Sequence, residues 1–81
     1  MKKFAVIGLG NFGFHAAKAL FEDGNEVVAI DLDKGRVHAI DAYCTEAIVM
    51  DATDTESLNA LGMESMDGVI VSTGTKISTS I

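Results

Sequence analysis

The sequence predicts an α/β fold: a parallel four-stranded sheet in the order 3-2-1-4, with helices on its faces. Three observations carry that expectation. An apolar run, Phe4-Ala5-Val6-Ile7, leads into Gly8-Leu9-Gly10-Asn11-Phe12-Gly13, and a helical pattern follows. That is the strand, glycine turn and helix context in which G-x-G-x-x-G becomes informative. Three further short apolar runs alternate with helical segments, the pattern of right-handed crossovers in a parallel, Rossmann-like sheet. The second run ends in Asp31, close to the roughly 20 residues past the glycine turn at which such folds place a ribose-binding acid.

Each element has its own warrant. Lys3 to Ile7 is nearly all apolar, as a central parallel strand requires. Helix one is expected from Asn11 to about Asp23, with Gly13, Ala16, Ala17 and Leu20 along one face. Phe14 and Phe21 flank that face, as ordinary core or as a contact with another subunit. Gly24-Asn25 stops the helix. Glu26 to Ile30 is strand two. Helix two is expected from Lys34 to about Tyr43, with Val37, Ile40 and Cys44 on one side. Glu46 to Met50 is strand three, and Asp51-Ala52-Thr53-Asp54 is the loop after it. Thr53 and Glu56 have capping-box spacing for helix three, which carries Leu58 and Leu61 and stops at Gly62. Gly68 to Ser72 is strand four, with Thr73-Gly74-Thr75-Lys76 as its loop. Ile77 to Ile81 reads as the first turn of another helix.

The strand ends of such a sheet present their loops on one edge. The glycine turn, Asp31, Asp51 and Thr73-Gly74 are expected to meet there, at the switch point between strands one and four. Gly8 permits a tight turn, Gly10 a close approach of backbone to phosphate, and Gly13 close packing of helix on strand. The first-turn N–H groups and the helix dipole favour a phosphate. Asp31 accepts hydrogen bonds from ribose hydroxyls and repels a 2′-phosphate, so NAD is expected over NADP. Its removal is expected to weaken adenine-nucleotide binding with little effect on folding. Leu32 lies under an adenine ring or is a plain packing residue.

Composition narrows the alternatives. With 81 residues the chain is at most one small domain, read as 1–81, and 48% of its residues are hydrophobic. That is rich for its length and hints that it packs against something else. The net charge of −6 argues against binding nucleic acid through the phosphate backbone. Cys44 is the single cysteine, so no internal disulfide forms and a reducing compartment is expected. No signal peptide or membrane span is read from the sequence. His15 and His38 read as surface residues and Cys44 as an inert core thiol. Asp31, Asp33, Asp51 and Asp54 read as solvated or ribose-binding acids in preference to cation ligands. Tyr43 has Ala47, not lysine, four residues on, so the short-chain dehydrogenase pair is absent.

These residues resemble the TrkA N-terminal, or RCK, domain family. The resemblance runs through Val6 to Gly13, Val28-Ala29-Ile30-Asp31, Asp51-Ala52-Thr53-Asp54 and Val69 to Gly74. The segment from Gly74 to Ser80 is more similar to the Ktr type than to the Trk type. The resemblance implies a cytoplasmic regulatory domain, peripheral at the inner face of the membrane, that binds NAD(H) or ATP, ADP or AMP and is not an enzyme. It implies that Gly8, Gly10, Asn11, Phe12 and Gly13 hold phosphates and that Asp31 binds ribose. Asp51 and Ala52 would border the adenine, and Thr73 and Gly74 would close the cleft. It implies a membrane-embedded potassium-translocating subunit as partner, with a homo-oligomer or a second chain completing the domain. Two positions depart from the family pattern: Asn11 stands where many Ktr-type members have arginine, and Met50 where a glycine is usual. The chain corresponds to about the first half of such a domain. Two other functions remain open: the nucleotide-binding half of an NAD-dependent oxidoreductase, and an interaction module with a vestigial cleft.

Overall fold

The computed structural model describes residues 1–73 and 76–80. Among the described residues eight helices and strands follow one another: β1 (Lys3–Ile7), α1 (Asn11–Glu22), β2 (Glu26–Asp31), α2 (Lys34–Ile40), β3 (Glu46–Val49), α3 (Thr55–Ala60), β4 (Gly68–Thr73) and β5 (Lys76–Ser80). The sheet order is β3-β2-β1-β4-β5. The first four strands are parallel, in the expected 3-2-1-4 order. β1 sits at the centre, with Val6 opposite Ala29 on one side and Ile70 on the other.

β5 corrects an expectation. The segment read as a first helical turn from Ile77 runs as a strand antiparallel to β4, pairing Val71 with Ser78 and Thr73 with Lys76. Ile77 and Thr79 are β-branched, which favours extended backbone. Only two residues, one of them Gly74, separate the paired Thr73 and Lys76, a spacing suited to a hairpin.

Other differences lie at helix ends. α2 stops at Ile40 and tightens into a 3-10 turn over Asp41–Tyr43, a common way to close a helix. α3 is capped by Asp54, not Thr53: the Asp54 carboxylate accepts the Ser57 N–H, and an anion there also suits the helix dipole. α1 ends as expected at Gly24, whose φ of 90° only glycine adopts freely. The Gly24 and Asn25 N–H groups donate to the Phe21 and Leu20 carbonyls, the Schellman arrangement.

Side chains alternate across the strands, so each strand feeds two faces. On one face Val6, Val27 and Ala29 pack with Ala17 of α1, Val37 and Ile40 of α2, and Cys44. Phe14 joins this core from its edge and meets Tyr43 edge-on, with Lys18 Nζ 4.7 Å from the Tyr43 ring centre. Phe21 stays at the surface. On the other face Ile7, Val28 and Ile30 form a smaller buried cluster, packed with partly covered Leu58, Leu61, Met63 and Met66.

Candidate functional site

The site is built by the crossover from β1 to β2. Gly8 leaves β1 with φ 90°, and its N–H donates to the Ile30 carbonyl at 2.8 Å. A Cβ on Gly8 would stand 1.8 Å from the Ser72 carbonyl oxygen of β4. A Cβ on Gly13 would stand 1.8 Å from the Gly8 carbonyl oxygen. Both glycines are therefore demanded by backbone packed against backbone. Gly10 differs. It is the N-cap of α1, and a Cβ there would meet nothing within 4 Å. It brings no side-chain acceptor to the first-turn N–H groups of α1, so those donors are left to solvent or a ligand.

Asp31 ends β2 beside this turn. Its Oδ2 accepts the Leu9 N–H at 2.7 Å and its Oδ1 accepts the Asp33 N–H at 2.8 Å. The carboxylate thus fastens the glycine turn to the end of β2. Each carboxylate oxygen can accept a further hydrogen bond, so acceptor capacity for hydroxyl donors remains. Asp33 in turn caps α2, accepting from the Gly35 and Arg36 N–H groups.

Two open depressions lie along this edge. One, of about 240 Å³, is lined by Gly8, Asp31, Leu32, Met50 and Ala52 with Ile7 and Ile30 at its floor. The other is lined by Gly10, Asn11 and Phe12. Arg36 and Ser72 border both. Of the residues singled out from sequence, Gly8, Asp31, Leu32 and Ala52 share the first depression, and Gly10, Asn11 and Phe12 the second. Gly13 is buried behind the turn. Leu32 and Phe12 are largely exposed. Asp51 is outside both linings; its Oδ1 accepts from the Thr53 N–H at 2.9 Å and hydroxyl at 2.7 Å. Those two bonds, the hydroxyl's first, hold the Asp51 carboxyl below the usual carboxylate range. Thr73 ends β4, and Gly74 lies outside the described residues.

The sequence reading missed Arg36 and Ser72. Ser72 had no signal, because its part is played by its carbonyl. Arg36 had a weak one, a cation in the first turn of the helix that follows Asp31. Cys44 is buried in the α1/α2 core, and burial followed by the nearby Asp41 pushes its thiol up. No group of three or more His, Cys, Asp or Glu side chains is placed to hold a metal ion among the described residues.

A family model, the TrkA-N domain, matches residues 4–81. The Ktr system potassium uptake protein C of Bacillus subtilis (strain 168) is 45% identical over 80 residues, which is 99% of this chain and 36% of that protein. The Ktr system potassium uptake protein A of the same organism is 42% identical over 98% of the chain and 36% of its own length. The protein A of Vibrio alginolyticus is 36% identical over 99% of the chain and 36% of its own length. The chain therefore spans about a third of the length of these relatives. With the match reaching from β1 to the last residue, this chain belongs to the TrkA-N domain family.

Proposed function

We propose that this domain binds an adenine nucleotide and regulates a potassium transport system. The observation that carries the reading is the joining of the glycine turn to Asp31 at the end of β2, beside a cleft that Ser72 of β4 also borders. Phosphates lie at Gly10, Asn11 and Phe12 against the start of α1, in a turn whose shape Gly8 and Gly13 set. The ribose hydroxyls donate to Asp31. The adenine rests by Leu32, Met50 and Ala52, with Asp51 at the outer rim. The ligand is NAD or NADH, or ATP, ADP or AMP.

The relatives named for potassium uptake support the transport setting. In that setting the domain works at the inner face of the membrane with a membrane-embedded potassium-translocating subunit, as a homo-oligomer or with a second chain. Its action is linkage, not catalysis. A nucleotide that binds two assembly states with different affinity shifts their populations, and the assembly passes that shift to the pore. A thermal-shift panel of NAD, NADH, NADP, ATP, ADP and AMP on the purified protein tests the reading. A ligand that binds only the folded state raises its apparent stability. Stabilisation by at least one adenine nucleotide is expected; no shift with any of them contradicts the proposal.

A further inference from the structure

Arg36 has no part in the function proposed above, yet it borders both depressions. Among the described residues it is the one cationic side chain that lines either of them. Its position is fixed by its own backbone, since its N–H donates to the Asp33 cap at 3.3 Å. Its guanidinium is not similarly fixed. Nη1 stands 3.8 Å from Asp31 Oδ2, beyond hydrogen-bond distance, and the side chain is 55% exposed. Pairs of that kind hold weakly. Asp31 meanwhile takes its hydrogen bonds from the Leu9 and Asp33 N–H groups and does not depend on Arg36. The guanidinium's five donors are thus largely unspent, in a fork whose geometry matches phosphate oxygens. The chain as a whole is acidic, with a net charge of −6, so a cation bordering the cleft offsets a field that otherwise disfavours a polyanion.

We infer that Arg36 reads the phosphate chain of the bound nucleotide, so that the cleft selects adenine nucleotides carrying two or more phosphates over AMP. This rests on the adenine-nucleotide reading above. On binding, the guanidinium leaves Asp31, turns toward the depression at Gly10, Asn11 and Phe12, and grips phosphate oxygens there. Asp31 is then free of its cation and accepts the ribose hydroxyls.

The test is calorimetric titration of wild type, Arg36→Gln and Arg36→Lys with AMP, ADP, NAD and NADP, alongside the melting temperature of each unliganded protein. Wild type is expected to bind ADP more tightly than AMP. Arg36→Gln should weaken ADP binding by roughly tenfold or more, the usual worth of a charge-assisted phosphate contact, while AMP changes much less. Arg36→Lys keeps the charge without the fork and should retain part of the preference, a comparison that stands even where the Gln variant folds poorly. Equal losses for AMP and ADP, or no loss for either, overturn the inference and leave nucleotide binding intact. A loss confined to NADP overturns it too, placing Arg36 at the 2′ position. A wild-type protein that binds none of the four overturns the nucleotide reading itself.

Discussion

Two loops meet at the same edge of the sheet, and they are held in opposite ways. The Gly8–Gly13 turn after β1 is shaped by backbone against backbone, with Ser72 and Gly8 carbonyl oxygens where side chains would otherwise begin. The Asp51–Asp54 loop after β3 is shaped by its own side chains: Thr53 donates twice to Asp51, and Asp54 accepts from Ser57. The first belongs to the core of the fold and leaves its donors free for a ligand. The second satisfies its own polar side chains, with Asp51, Thr53 and Asp54 in solvent and Ala52 turned to the cleft. A substitution at Gly8 or Gly13 in the first should cost the fold, and one at Thr53 in the second should hardly register.

The largest effect is expected at Gly8 and Gly13. Alanine at either should destabilise by about 3–5 kcal/mol, because a Cβ 1.8 Å from a backbone oxygen forces the strand or the helix to move. Urea unfolding measures it. A change below about 1 kcal/mol would show that the turn relaxes easily and would erase the contrast between the loops.

Asp31 comes next. Asp31→Ala removes the acceptor for two N–H groups, one of them in the buried turn, and should cost about 1–3 kcal/mol. Asp31→Asn keeps an acceptor and should cost less. The structure thereby replaces the sequence-based expectation that losing Asp31 would leave folding almost untouched. A ligand-binding defect in the Ala variant is interpretable only against the Asn variant, whose turn stays fastened.

Gly10 sharpens the contrast within the turn. With open space around it and φ −66°, Gly10→Ala should change stability by no more than about 1 kcal/mol. Yet it should weaken nucleotide binding, since the added methyl stands where the phosphate approaches. Normal affinity in that variant would move the phosphate away from Gly10.

The smallest effect is expected at Thr53. Thr53→Val removes the hydroxyl bond that does most to hold the Asp51 carboxyl low, so Asp51 should titrate nearer the ordinary carboxylate range in a carbon-detected NMR titration. The sign follows from linkage: a carboxyl lowered by folding favours the folded state above the ordinary range. That contribution is lost as pH falls through the folded-state value. The variant should therefore lose a little stability at neutral pH and none in strong acid, where the wild type has lost the contribution as well. An unmoved Asp51 titration would mean that the loop is not held by this contact.

The two loops also mark what the sequence makes legible. β1 to β4 were readable because each is a short apolar run ended by glycine or an acid. The glycine turn was readable because backbone packing leaves no other residue possible at Gly8 and Gly13. β5 was not readable: Lys76–Ser80 is too short for a period to show, and its pairing depends on β4. The start of α3 slipped by one residue because Thr53 and Asp54 both suit a cap, and only the hydroxyl's bond to Asp51 decides between them. At the site, the place of Asp31 beside the glycine turn was foreseeable from spacing, whereas its bond to Leu9, 22 residues away, was not. Arg36 was hidden for the same reason, since nothing in the sequence shows that it borders the glycine turn.

The most direct test of the central claim is a map of backbone amide shifts as ADP is added to the isotope-labelled protein. The account predicts saturable shifts concentrated at Leu9 to Phe14, Asp31 to Asp33 and Met50 to Ala52, with Thr53 and Asp54 moving little. Shifts centred elsewhere, or none at ligand concentrations that saturate ordinary nucleotide sites, would contradict a nucleotide cleft at the glycine turn.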